Sequence, residues 1–293
     1  MLCRCLDSIP RRDDVQIIVV DDKSDPKQVD FKNFPGLNDK NVEVYFTKKG
    51  KGAGYARNVG LEHAKGKWVI FADADDWYLN NLSEMMDKYA DSESDMIVFR
   101  TKRVDVDGNE INNEFDKYFD EVFINNNYDP IKYIYVPLWG KFIKRHLVAQ
   151  NKIRFQEVKY SNDVMFALKV SSCCQVLKVV EDRIYCVYES PNSLTRNSDW
   201  RNPYIRVKVS IDALLYMRTL GKGYVLDGIW LFYWNCLWEI SKFKALCTLF
   251  VNVFPRLGIQ ESWNIFKSLT KKNYPKYYKI IFRDDCRKDC NDE

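Results

Sequence analysis

Histidine is close to absent from this chain: His63 and His146 are the only two in 293 residues. A zinc site built from several imidazoles is therefore not expected, and carboxylate oxygens are left as the natural donors for a hard cation. The nine cysteines are odd in number and contain no CxxC pair. Cys3 and Cys5 stand too close for an ordinary bridge, and Cys173 and Cys174 are adjacent. That pattern lacks the density of a disulfide framework and fits reduced thiols in a cytoplasmic compartment. Charge of one sign is missing too: 45 Lys and Arg face 41 Asp and Glu, a formal +4. No global basic field selects nucleic acid as a partner. No apolar run reaches the roughly 18 residues needed to cross a bilayer. The richest stretch, residues 228–255, is broken by Glu239, Lys242 and Lys244. Residues 1–12 hold no long apolar core of a secretory leader.

What is present is 46% apolar and 15% aromatic, enough for one large domain or for a domain with an appendage. Gln16 to Val20, Val42 to Phe46 and Lys67 to Ala72 are short apolar runs that read as buried strands. The first closes in Asp21-Asp22-Lys23-Ser24 and the third in Asp73-Ala74-Asp75-Asp76. Helices are expected over Tyr55 to Lys65, ending at Gly66, and over Asn80 to Ala90, with Asn81 or Ser83 as cap. Asp95 to Arg103 reads as a strand. Residues 25–41 have room for a short helix, and residues 104–127 read as a polar loop. Asp163 to Ser172 reads as helix, and Val176 to Val180 and Ile184 to Tyr188 as two strands. This alternation predicts an α/β fold with a mainly parallel sheet, which binds ligands beyond the carboxyl ends of its strands. From Pro203 the chain turns helix-rich, aromatic and basic, so a boundary near residue 200 separates an α/β domain (1–200) from a helical C-terminal region (201–293).

The run Val69 to Asp76 delivers three carboxylates at one strand end. Packed carboxylates repel one another and lose hydration, and a divalent cation relieves both penalties. Such an ion can neutralise a diphosphate leaving group. Asp21 and Asp22 add acceptors suited to a base N–H or to ribose hydroxyls; a simple turn or cap explains them equally well in isolation. Gly50, Gly52 and Gly54 precede a helix start and allow close approach of a ligand to backbone N–H groups. The glycine spacing is neither a P-loop nor a dinucleotide fingerprint. Arg57, early in that helix, suits either a nucleotide contact or a surface ion pair.

In order, content and spacing, VVDDKSD followed by GAGYARNVGLEHAKGKWVIFADADDW resembles family-2 glycosyltransferases. The resemblance implies a GT-A fold and inverting transfer from a nucleotide sugar, with Mn²⁺ or Mg²⁺ as cofactor. It places Asp21, Asp22 and Arg57 at the nucleotide, and makes Asp73-Ala74-Asp75 the DxD motif that holds ribose and metal, with Asp76 behind it. Trp139 and Lys141, in LWGKFI, resemble the acceptor-side segment. SNDVMF resembles the segment carrying the general base, which makes Asp163 that base; Asn162 stands where the family usually has an acidic residue. YESPNSLT, from Tyr188, resembles the segment that follows. The resemblance covers about the first 200 residues. UDP is the expected carrier, a glycan or lipid-linked molecule the acceptor, and bacterial surface polysaccharide or lipopolysaccharide synthesis the setting. The family usually places a strand ahead of CLDSI, and none is seen here. A truncated or misassigned start is expected, with the sheet edges left unpaired by the missing strand. That departure keeps open a non-catalytic remnant acting as a binding module.

Two other enzyme classes fit less. A phosphatase of the haloacid-dehalogenase type also needs a strand followed by DxD, but leaves VDDKS and ARNVGL unexplained. A sugar-phosphate nucleotidylyltransferase needs a glycine-rich, arginine-bearing loop near its start, and residues 1–15 hold none. For the aromatic and basic C-terminal region two readings stand. One is a helical subdomain with a solvated basic face; the other is a peripheral contact with the inner face of a membrane.

Overall fold

The computed structural model describes residues 1–189, 201–223, 226, 229–260 and 262–263. Two compact units divide the chain, Met1–Ser190 and Pro191–Glu293. The first unit carries seven strands: β1 (Ile17–Asp22), β2 (Val42–Thr47), β3 (Trp68–Val69), β4 (Trp77–Tyr78), β5 (Met96–Val104), β6 (Lys141–Lys144) and β7 (Leu177–Tyr188). Its helices are α1 (Leu2–Asp7), α2 (Ala53–His63), α3 (Leu82–Tyr89), α4 (Asp116–Asn125), α5 (Asp129–Tyr133), α6 (Arg145–Gln150) and α7 (Val164–Cys173).

β1 and β2 form a parallel pair, registered from Ile17 against Val42 to Asp22 against Thr47. The β-branched runs suit this pairing. Their buried residues Ile17 and Val42 pack with Leu6 of α1. The register places Asp21 and Asp22 at the carboxyl end, where the ladder stops. The other five strands form a second sheet in the order β3-β6-β5-β7-β4. β5 and β7 run parallel, while β3–β6, β5–β6 and β4–β7 are antiparallel. The expected mixed α/β class holds, and the parallel pairs are β1–β2 and β5–β7. The main core lies against this sheet, with Ile97, Phe99, Phe142, Ile184 and Tyr185 buried together under α3.

Three elements differ from the sequence expectation. The third apolar run is laddered only at Trp68 and Val69. Beyond them, side-chain hydroxyls serve the backbone: Tyr78 donates to the Phe71 carbonyl at 3.0 Å, and the Asp73 N–H donates to the Tyr185 hydroxyl at 2.9 Å. The polar stretch 104–127 contains α4, whose Tyr118, Phe119 and Val122 are buried on one face. The two strands expected over 176–188 are one continuous strand, β7, bent by irregularities opposite Phe99 to Thr101 of β5.

The second unit holds α8 (Arg201–Thr219), α9 (Ile229–Ile240), α10 (Lys242–Thr248), a π-helical turn (Leu249–Val253) and α11 (Phe254–Leu257). Part of the aromatic crowd of α9 is core: Trp230 and Trp234, with Leu237, recur at helical spacing and are buried, while Phe232, Tyr233 and Trp238 are half-buried. No described helix is long and apolar enough to cross a membrane. The boundary expected near residue 200, the YESPNSLT segment beyond Glu189, and Lys267, Lys271, Lys272, Lys276 and Lys279 lie outside the described residues.

Candidate active site

The glycine-rich loop is held by Asp22. One oxygen of its carboxylate accepts from the Gly50 N–H at 3.1 Å and from the Thr47 hydroxyl; the other accepts from the Gly52 N–H at 2.5 Å. Gly50 and Gly52 adopt φ of +64° and +92°, which only glycine reaches without strain. These N–H groups are therefore satisfied inside the chain. The expectation that they meet a ligand is corrected: the Asp22 carboxylate pins the start of α2 instead. Asp21, 8% exposed, accepts from the Ser24 N–H at 3.2 Å. It also lines a cavity of about 530 Å³ with Phe31, Phe46 and Thr47. Phe31 and Phe46 meet edge to face with centroids 5.5 Å apart.

From the pinned end, α2 carries Arg57 across to the two remaining acidic segments. Its guanidinium donates to Asp73 Oδ1 at 2.5 Å and to Asn162 Oδ1 at 2.6 Å. One planar, five-donor side chain thus joins the DxD turn to the loop that ends in Asp163. The neighbouring Asn58 secures the same loop: its amide donates to the Phe155 carbonyl at 3.0 Å, and its Oδ1 accepts from the Phe155 N–H at 2.8 Å. Phe155 stacks on Phe166 of α7 at 3.9 Å, and Phe71 of the third apolar run meets both edge on.

Asp163 stands at the start of α7, yet its side chain makes no capping hydrogen bond, so a cap is not what this carboxylate does here. Ser161, two residues earlier, has φ +54°, and this turn brings Asn162 to Arg57.

Asp76 anchors the DxD turn from beneath. It is 3% exposed. It accepts from the Tyr185 hydroxyl at 3.0 Å and from the Tyr188 N–H at 2.8 Å. Burial, together with the charges of Asp73 and Asp75, pushes its pKa up to about 7. Asp75 is also raised, chiefly by burial, with repulsion from Asp73 adding and Arg4 opposing. Carboxylates held against their own solvation and against one another fit a divalent cation. Among the described residues no three His, Cys, Asp or Glu side chains come together as a metal cage. At most Asp73 and Asp75 are offered by the protein, an arrangement that suits Mg²⁺ or Mn²⁺ completed by phosphate oxygens and water.

The two acceptor-side candidates each have a partner within the chain. Trp139 stacks parallel on Tyr185 with centroids 5.9 Å apart, and so backs the tyrosine that holds Asp73 and Asp76. Lys141 is 1% exposed, and its ammonium donates to the Tyr135 carbonyl at 2.7 Å. The buried neighbours of β6 enclose it. Sequence reasoning did not assign Tyr185 or Asn58. Tyr185 lies 112 positions from Asp73, and no local pattern marks it. Asn58 was legible only as part of the ARNVG string.

Asp73 and Asp75 do not line the cavity at Asp21. The two places are linked mechanically, through Asp22, α2 and Arg57. A DxD turn beyond β3, an acidic loop at the end of the β1–β2 pair and a carboxylate at the head of α7 are arranged in a GT-A architecture. Residues 1–150 match the model of glycosyl transferase family 2, and the chain belongs to that family. It is 23% identical over 199 residues to the putative glycosyltransferase EpsH of Bacillus subtilis, covering 62% of this chain and 55% of that protein. It is 29% identical to the poly(ribitol-phosphate) β-N-acetylglucosaminyltransferase TarS of Staphylococcus aureus, over 61% of this chain and 32% of TarS. The chain thus spans less than two thirds of the length of these relatives. Among solved structures, a TarS fragment in complex with UDP-GlcNAc superposes with TM-score 0.61 at 20% identity, covering 91% of this chain and 77% of the fragment. A mannosyltransferase of Pyrobaculum calidifontis with GDP-Man and Mn²⁺ gives TM-score 0.52 at 15% identity, over 95% and 78% of the two chains.

Proposed function

We propose that the chain transfers a sugar from a nucleoside diphosphate, UDP in first place, to an acceptor hydroxyl with inversion at the anomeric carbon. The observation that carries this reading is the Arg57 bridge between Asp73 and Asn162, because it joins a donor-binding carboxylate to the loop of a candidate base. In the proposed roles, the cavity at Asp21 takes the nucleoside, with the carboxylate accepting from the base or ribose and Phe31 and Phe46 lending apolar walls. Asp73 and Asp75 hold the cation, which when bound neutralises charge on the leaving diphosphate. Asp163 accepts the proton of the acceptor hydroxyl while its oxygen attacks the anomeric carbon. The bond from that carbon to the β-phosphate oxygen breaks, and its electron pair leaves with the diphosphate. Attack from the face opposite the departing group inverts the centre. Asp22, Asp76, Tyr185 and Trp139 are positioning residues; Lys141 shapes the acceptor side from behind.

The relatives support the substrate class: TarS structures hold UDP-GlcNAc and UDP, and the mannosyltransferase holds GDP-Man and Mn²⁺. Two relatives act on poly(ribitol-phosphate), which favours a glycan or lipid-linked polymer of the cell surface as acceptor. We place the reaction on the cytoplasmic side, with peripheral contact at the inner face of the membrane. The test is donor turnover across nucleotide sugars with Mn²⁺, for wild type, Asp75→Ala and Asp163→Asn. Asp163→Asn should lower kcat by about 10²–10⁴-fold while calorimetric binding of UDP with Mn²⁺ persists. Asp75→Ala should lose that binding. Equal turnover in all three removes the assignment, and UDP binding with no turnover on any donor would mark a binding module.

A further inference from the structure

The second unit carries an apolar ridge on its outer side. Phe243, Leu246 and Phe250 are 76%, 44% and 66% exposed, spaced three and four residues apart along α10 and the π-helical turn. That spacing puts them on one face. The wide turn adds Val251, 68% exposed, beside Phe250. The opposite face is the packed one: Ala245, Thr248 and Val253 are buried, and Trp234 of α9 donates its indole N–H to the Ala245 carbonyl at 2.9 Å. The ridge therefore points away from the core of its unit, and its isolated phenylalanines are not a frayed interior.

Charge selects the partner. Over residues 240–260, the stretch that carries the ridge, the sequence holds Lys242, Lys244 and Arg256 and no Asp or Glu. Lys242 is exposed directly beside Phe243. Two copies meeting through this ridge would set like charge against like, because a two-fold interface places a patch on itself. An anionic phospholipid surface offers the complementary charge and an apolar layer at the depth of a phenyl ring.

We propose that the ridge of Phe243, Leu246 and Phe250 docks the protein on anionic membrane by burying its rings at the headgroup boundary, with Lys242 and Lys244 beside it held by lipid phosphates. This deepens the membrane-side part of the proposed function and is independent of the donor chemistry. The experiment is co-sedimentation of the full chain with vesicles of phosphatidylglycerol and phosphatidylcholine in equal parts, and with phosphatidylcholine alone. The wild type should pellet with the anionic vesicles and much less with the neutral ones. The double variant Phe243→Ser/Phe250→Ser should partition at least about tenfold less, with helicity and UDP binding unchanged. Wild type that stays in the supernatant, a double variant that pellets equally, or equal pelleting on both vesicle types overturns the proposal. A wild-type dimer that this variant splits, seen by light scattering, overturns it in favour of a second copy. Vesicle binding without any UDP binding would sink the transferase reading alone.

Discussion

Lys141 places an ammonium where water does not reach. Its carbon chain runs through the packed interior, its ring neighbour Tyr135 lies 4.6 Å from the nitrogen, and one carbonyl accepts a hydrogen bond from it. Burial pushes its pKa down to about 7, with the charge of Asp163 pulling the other way. An unfolded lysine titrates near about 10.4. Between these values the unfolded chain holds a proton that the folded chain has released. Stability from this residue therefore rises with pH from about 7 to about 10, and the burden of ionising it is complete below about 7. Lys141→Met keeps the length and removes the titration. Urea midpoints taken across this window should climb for wild type and climb less for the variant; parallel slopes would show that Lys141 keeps its ordinary proton affinity. The same residue shows how far a motif can be read. Its place beside Trp139 suggested the acceptor, but its burial was not visible, because burial depends on which strands flank β6.

At the scale of elements, α2 is the beam of the site. Asp22 pins one end, Asn58 fastens its side to Phe155, and Arg57 reaches across to Asp73 and Asn162. Gly54 sits at the contact: a Cβ there would stand 2.2 Å from the Gln156 carbonyl oxygen and 3.0 Å from Asn162 Cβ. This glycine serves the close approach of two protein segments, not of a ligand. Gly54→Ala gains about 1 kcal/mol of helix propensity. It must also push residues 156–162 off the helix, at a penalty of about 1–3 kcal/mol for overpacking. The expected outcome is a lower urea midpoint together with weaker UDP binding, since the displaced loop draws Asn162 from Arg57. An unchanged affinity would separate α2 packing from the donor site.

For the whole molecule, two units with their own cores predict two unfolding transitions. The first unit is centred on Ile97, Phe99 and Ile184; the second has Ile211, Leu214, Trp230 and Leu237 fully or nearly fully buried. UDP with Mn²⁺ at 100 times its Kd should stabilise the unit it binds by about 2.7 kcal/mol. Calorimetry should therefore move one transition upward and leave the other in place. A single transition that shifts as a whole would show instead that the units unfold together.

The order of strands and helices around the acidic turns was legible from local pattern, because β-branched runs, glycine loops and amphipathic spacing act over a few residues. Asp73, Asp75 and Arg57 were marked out as site candidates by the run that resembles family-2 glycosyltransferases. Helix α4 escaped because polar residues outnumber its buried Tyr118, Phe119 and Val122, and the core they meet is built by distant strands. Which partner each carboxylate takes was decided only by the fold. Asp22 turned inward to Gly50 and Gly52, Asp76 found Tyr185 across 109 positions, and Lys141 lost its water. Sequence spacing determines which groups share a loop, whereas hydrogen bonds and desolvation are settled by neighbours that only chain packing brings within reach.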